Sequence, residues 1–279
     1  MNKIIVPIDF SEYSEYALEA AALLAKRHNA EILALHMLNL DRDSLTASET
    51  EQNEKMGFYY KLAKERFEEF LQKDYLNDIE ITPMVKHFRV FSEVSEVAEN
   101  HSVDLIIMGS HGASGLSEIF VGSNTEKVVR YSKTPVLVIK QKPEVLDFNT
   151  VIFATNFDEE NISAYIKARQ LFDKFGSKVH LLHVNVPGQN FRSSTELEQR
   201  AANFLQKADG NLNRINHIDY VADYSVENGI LNFAALVGAD LIAMPTHGRK
   251  GLAHFFSGSI SEDVANHSKL PVMTFRIDK

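Results

Sequence analysis

The chain has 279 residues, 44% hydrophobic and 24% charged, with a net charge of −9 and no cysteine. That length accommodates two ordinary domains, each able to bury a core. The missing cysteine excludes disulfides, thiolate nucleophiles and cysteine-ligated metals, and the acidic balance argues against a nucleic-acid partner, whose general binding draws on Lys and Arg displacing counter-ions.

The apolar stretch ahead of Asp9 is too short for a signal peptide, and no run approaches the roughly 18 apolar residues of a membrane span. A soluble, cytoplasmic protein without a membrane partner is therefore expected. Ile4–Ile8 reads as a buried strand. Ser11, with Ser14 as the alternative, caps a helix whose apolar stripe runs through Ala17, Ala21 and Leu24. Glu31–Leu38 is a second strand and 41–55 a polar loop. Met56, Tyr60, Ala63, Phe67 and Phe70 then mark an amphipathic helix by their spacing of three and four. A strand over 79–86, a helix over 92–100, a strand over 103–108, a helix over 123–132 and a strand over 135–139 complete the first half. Gln141–Phe148 reads as a linker. Strands over 151–154, 178–184, 218–224 and 241–244 then alternate with helices over 162–175, 197–208 and 226–237, and a last strand covers 272–275. This alternation implies an α/β fold with parallel pairing and right-handed crossovers.

One unit occurs twice. Asp104-Leu-Ile-Ile-Met-Gly109-Ser-His111-Gly112, then Gly122-Ser123-Asn124-Thr-Glu126, then Thr134-Pro135, returns 136 positions later. The second copy reads Asp240-Leu-Ile-Ala-Met244-Pro245-Thr-His247-Gly248, then Gly258-Ser259-Ile-Ser-Glu262, then Leu270-Pro271. A period near half the chain means a duplicated domain, not a solenoid, so domains over 1–144 and 145–279 are expected.

Open parallel sheets bind ligands beyond the carboxyl ends of their strands, where the strand order reverses. Asp9 follows the first strand, and Gly109 and Gly112 follow the fourth. Glycine there permits positive φ or a close approach of ligand to backbone. Gly122-Ser123 opens a helix, whose free N–H groups favour an anion. Ser123–Glu126 and Ser259–Glu262 also fit capping boxes, which would occupy two of those donors. Either glycine loop, taken alone, is equally readable as a plain turn. Neither is a Walker loop nor a dinucleotide fingerprint.

The spacing Gly109-x2-Gly112-x9-Gly122-Ser123, between a strand and a Pro-Val-Leu-Val strand, resembles the ATP-binding signature of the universal stress protein family. Val6-Pro-Ile-Asp9 resembles that family's opening strand and Leu35-His36-Met37 the end of its second. The resemblance covers nearly the whole chain twice. It implies two tandem, doubly wound, parallel five-stranded sheets of order 3-2-1-4-5, related as a pseudo-dimer within one chain, with homodimerisation of the whole chain left open. It implies ATP, with or without Mg2+, as ligand and a regulatory or sensing role in a stress response. On this resemblance Asp9 reads adenine or ribose, Met37 and Met108 line the base pocket, and Gly109, His111, Gly112, Gly122, Ser123 and Asn124 surround ribose and phosphates. Residue chemistry alone also allows Asp9 as a helix-start charge, the two methionines as core, and His111 and His247 as loop-structuring groups.

The corresponding second set is Asn156, Val184, Met244, His247, Gly248, Arg249, Gly258 and Ser259. It departs from the pattern at Pro245, which lacks an N–H and fixes φ near −65°, and at Asn156, which stands in place of Asp9. Arg249 and Lys250 add positive charge. A weaker or empty second site is expected. No catalytic constellation and no metal site stand out; His36 and His183 fall at matching strand ends and read best as core or edge residues. A slow ATP hydrolase or phosphotransferase, and a nucleotide-independent interaction protein, are the competing functions.

Overall fold

The computed structural model describes residues 1–38, 49–87, 90–111, 122–188, 191–246 and 268–278, with backbone alone at 49–54, 87, 90 and 91. The first half runs β1 (Lys3–Ile8), α1 (Glu12–His28), β2 (Glu31–Leu38), α2 (Glu49–Phe70), β3 (Ile81–His87), α3 (Val90–Asn100), β4 (Leu105–Gly109), α4 (Ser123–Tyr131) and β5 (Val136–Ile139). The second runs β6 (Thr150–Ala154), α5 (Ile162–Phe175), β7 (Lys178–Asn185), α6 (Ser194–Asp209), β8 (Ile218–Ala222), α7 (Val226–Val237), β9 (Leu241–Thr246) and β10 (Val272–Arg276).

Strand order is β3-β2-β1-β4-β5 in the first half and β10-β9-β6-β7-β8 in the second, the same arrangement read from opposite edges. The pairs β1–β2, β1–β4, β2–β3, β6–β7, β6–β9, β7–β8 and β9–β10 are all parallel. By contacts the chain forms two compact units. The second takes in Leu146–Lys279 together with Val129–Leu137. Within it, Arg276 donates to the Tyr131 carbonyl at 2.6 Å and Thr274 Oγ1 to that of Val136 at 3.5 Å.

Successive side chains of a strand point to opposite faces, and the second unit buries both. Phe153 meets Tyr165 of α5 and Phe275 of β10. Its neighbour Ile152 packs with Leu182, Ile242 and the α7 residues Ile230 and Phe233. That is the double winding. Repeated carboxylates tie the other end of the sheets. Asp104 Oδ2 accepts from the backbone of Asn2 (2.6 Å) and Lys3 (3.2 Å), and Asp240 Oδ2 accepts from Thr150 N (2.8 Å).

Helix ends follow local chemistry. Ser11 caps α1 by accepting from Ser14 N at 3.3 Å, Glu12 and Glu15 sit at its positive end, and Lys26, Arg27 and His28 at its negative end. α6 begins three residues before its apolar stripe because Ser193 and Glu196 form a reciprocal capping box. Glycines at positive φ close α5 (Gly176, 72°) and α7 (Gly238, 62°). Two sequence expectations are corrected. The stretch read as loop up to residue 55 is helical from Glu49, and 41–48 lie outside the described residues. The segment read as linker is not all surface: Leu146 and Phe148 are buried, with the Phe148 ring 5.6 Å from that of Phe175.

Both halves place a phenylalanine at positive φ directly after the exposed residue that follows their first strand, Phe10 at 62° and Phe157 at 58°. A bulky residue is rarely found there. The turn throws each ring back over the sheet. Phe10 meets His36, Phe67 and Phe70, and Phe157 meets His183 and Phe204. Burial of the ring offsets a backbone cost of about 1–3 kcal/mol. Phe157→Ala should lower the unfolding free energy of the second unit by about 3–5 kcal/mol, read by denaturant unfolding of the full chain. A loss below about 1 kcal/mol would show that this ring is not part of the core.

Candidate functional site

In the first half β1 and β4 are paired with Ile4 opposite Leu105 and Ile5 opposite Ile106. Their carboxyl ends therefore lie side by side. β2 lies beyond β1 and β5 beyond β4, so the strand order reverses between them. A crevice at such a point is where open α/β sheets bind ligands.

The floor of the crevice is the end of β4. Gly109 is not among the positive-φ glycines, so left-handed backbone is not why glycine stands there. A Cβ on it would lie 2.6 Å from the Tyr13 carbonyl oxygen. The missing side chain admits the first turn of α1 rather than, as the sequence suggested, only a ligand. The Gly109 carbonyl accepts from the buried Thr125 hydroxyl at 2.9 Å, which anchors α4. Ser110, 2% exposed, donates its N–H to Ile139 O (2.8 Å) and accepts at its own carbonyl from Gly122 N (2.7 Å). One glycine–serine pair thus joins β4, β5, α1 and α4.

These bonds change two expectations. Gly122 N–H is engaged by Ser110 and is not a free anion donor. Gly122 O accepts the first helical bond, from Glu126 N at 2.9 Å, and α4 starts at Ser123. Gly122 therefore occupies the cap position, and Ser123–Glu126 is one residue out of register for a capping box. Ser123 and Asn124 are exposed in the first turn, leaving their polar groups available to an anion at the helix start.

Asp9 is exposed at the end of β1, and its Oδ1 accepts from Ser11 N (3.1 Å) and Ser11 Oγ (2.5 Å). One carboxylate oxygen thus holds the start of α1. His111 follows β4, with Nδ1 2.9 Å from Ser110 Oγ and its ring 5.0 Å from that of Tyr13. Asp9 follows the carboxyl end of β1, and Gly109 and His111 lie at that of the neighbouring β4, with Gly122 bonded to Ser110 and Ser123 next to it. Met37 and Met108 are 9% and 5% exposed, so both side chains belong to the core and only their backbone is open to a ligand role. Gly112 lies outside the described residues.

The second half differs. Asn156 is exposed where Asp9 is. Its Oδ1 accepts from Asp158 N (3.0 Å) and Asn161 Nδ2 (2.5 Å), and its own amide donates to the Asp158 carboxylate. The side chain is fully involved in starting α5. Pro245 lies inside β9 opposite Phe275 of β10. Val184 and Met244 are 8% and 3% exposed. His247, Gly248, Arg249, Gly258 and Ser259 lie outside the described residues.

Sequence reasoning missed Tyr13 and Thr125. Thr125 sits within the quoted Gly122–Glu126 run, yet no local rule assigns its hydroxyl to a strand end 16 residues away. His36 and His183 prove structural. Each places Nδ1 on the carbonyl beside its first strand's end, 2.7 Å from Ile8 O and 3.0 Å from Thr155 O. Burial lowers the pKa of both, against the opposing effect of those carbonyls. Among the described residues no cluster of three His, Cys, Asp or Glu side chains could hold a metal, and no helix is long and apolar enough to cross a membrane.

A sequence profile of the universal stress protein family matches residues 1–140 and again 147–276. A universal stress protein of Methanocaldococcus jannaschii is 33% identical over 157 residues, covering 50% of this chain and 96% of its own length. Universal stress protein YxiE of Bacillus subtilis is 32% identical over 150 residues, covering 50% and 99%. The crystal structure of a universal stress protein from Archaeoglobus fulgidus superposes with a TM-score of 0.71 at 26% identity, covering 100% of this chain and 97% of that one.

Gly109→Ala should destabilise the first unit by about 1–3 kcal/mol, because the Cβ meets backbone and not a yielding side chain. Unchanged denaturant stability would refute the close approach of Tyr13. The two histidines set a pH dependence. Their folded pKa values lie below the unfolded value of about 6.5, so the unfolded chain binds more protons between them. Stability should fall as pH drops from about 7 through that window, by at most about 1.4 kcal/mol per pH unit for each histidine. His183→Gln should flatten the slope; an unaltered slope would mean that His183 does not titrate on unfolding.

Proposed function

The chain belongs to the universal stress protein family, and from that premise we propose that its first half binds an adenine nucleotide, ATP with or without Mg2+, as a regulatory or sensing module. The observation that carries this reading is the convergence of Asp9, Gly109–His111 and Gly122–Ser123 at the reversal of strand order. The carboxylate can accept from ribose hydroxyls or the adenine amine. The first turn of α4 presents Ser123 and Asn124 at the positive end of a helix dipole, suited to phosphates.

The two halves are not equivalent in this proposal. Asn156 is held by Asp158 and Asn161, and Pro245 offers no N–H. The first site therefore binds more tightly, and one well-occupied site per chain is expected beside a weaker or empty second. A slow hydrolase on the same crevice is the second reading. The exposed Asp9 carboxylate favours it as a group that could orient water, whereas its engagement with Ser11 disfavours it as a base.

Asp9→Asn keeps the acceptor that starts α1 and removes the charge. It should weaken adenine-nucleotide binding by about 1.5–3 kcal/mol, the scale of a hydrogen bond to a charged group, and leave inorganic triphosphate nearly unaffected. Titration calorimetry on the full chain reads both. Equal losses would put Asp9 away from base and sugar, and two sites of equal affinity would overturn the asymmetry.

A further inference from the structure

A second cavity lies at the opposite, amino end of the second unit's strands. It measures about 480 Å3 and is lined from three directions by the end of α5, the start of β7 and the turn leading into β8. We propose that it is a binding site for a small phosphate monoester, separate from the crevice at the carboxyl ends.

The donors come from different elements. Lys178 opens β7, while Arg214 and His217 sit in the turn before β8. The Arg214 guanidinium is held in place. Its Nη1 donates to the Tyr165 hydroxyl at 3.4 Å, and that hydroxyl donates to Asp209 Oδ2 at 3.0 Å. Tyr165 is 2% exposed, and burial beside Asp209 raises its pKa to about 12, so it keeps its proton. Asp209 is itself paired with Arg169. An arginine anchored through a buried tyrosine and carboxylate has little freedom left to lose on binding, and its remaining N–H groups match a phosphate.

Two polar atoms near it, Ser177 Oγ and His180 Nε2, are buried without a partner among the described residues, but neither is open to the cavity, and the His180 ring packs 5.7 Å from that of Phe233 in α7. His180 Nδ1 lies 2.8 Å from Asp219 Oδ2. That carboxylate fixes the proton on Nδ1 in the neutral ring and leaves Nε2 as an acceptor. Inorganic phosphate alone would not fill this volume, whereas a hydroxylated phosphate ester would. The two carboxylates do not override the cations. Asp219 is committed to His180, and Asp173 is exposed at the end of α5. The same place in the first half is lined instead by Lys26, Glu31, Asp78 and Glu80, so the basic character belongs to this sequence and not to the fold.

Glycerol 3-phosphate titrated into the full chain, followed by NMR of the histidine rings and by calorimetry, tests the proposal. Saturable binding should shift the His217 ring signals, and the exposed Lys178→Glu should weaken it by about tenfold or more. Arg214→Met should do at least as much. No saturable binding up to about 1 mM, binding undiminished in both variants, or shifts confined to His111 would each overturn it. Because these readouts lie in the second half, they stand or fall independently of nucleotide binding in the first.

Discussion

The close approach of α1 to the end of β4 is the constraint on which the first half's crevice depends. It exists because Gly109 has no Cβ where the Tyr13 carbonyl stands. Once the helix start is that close, the His111 ring meets that of Tyr13 in the first turn of α1. Thr125 then draws the first turn of α4 onto the same glycine, and Gly122 closes onto Ser110. The glycines act as structural spacers before they act as ligand contacts. The polar side chains left exposed at the start of α4 are those of Ser123 and Asn124.

The second half keeps the scaffold and changes the site. Phe157, His183 and Asp240 reproduce the geometry of Phe10, His36 and Asp104. The identity of the residue after the first strand does not matter to the sheet, since either Asp9 or Asn156 can start the next helix through its Oδ1. It matters to a ligand, because an amide has one acceptor oxygen and a carboxylate two. The two halves thus share what folding needs and differ at the residue after the first strand's end, consistent with function residing in sites carried on a fold.

Much of the architecture was legible. The apolar run of β1, the Ser11 cap, the stripes of α5 and α7 and the duplicated Asp104 and Asp240 motifs all follow from local periodicity. The start of α2 was not, because Glu49–Lys55 carries no apolar stripe. Phe148 was misread because a short polar stretch hides one core ring. The left-handed Phe10 and Phe157 defy propensity, and only the tertiary contacts of their rings account for them. At the site, residue types were legible but their bonding was not. Gly109 and Gly122 looked like ligand-facing glycines, yet a helix carbonyl and a strand carbonyl claim them.

The central claim is that the crevice bounded by Asp9, Gly109–His111 and Gly122–Ser123 holds an adenine nucleotide. A crystal structure of the full chain grown with ATP tests it most directly. The account predicts the base and ribose beside Asp9 and the phosphates at the first turn of α4. Nucleotide bound only in the second half, or bound with its phosphates away from Ser123, would contradict it.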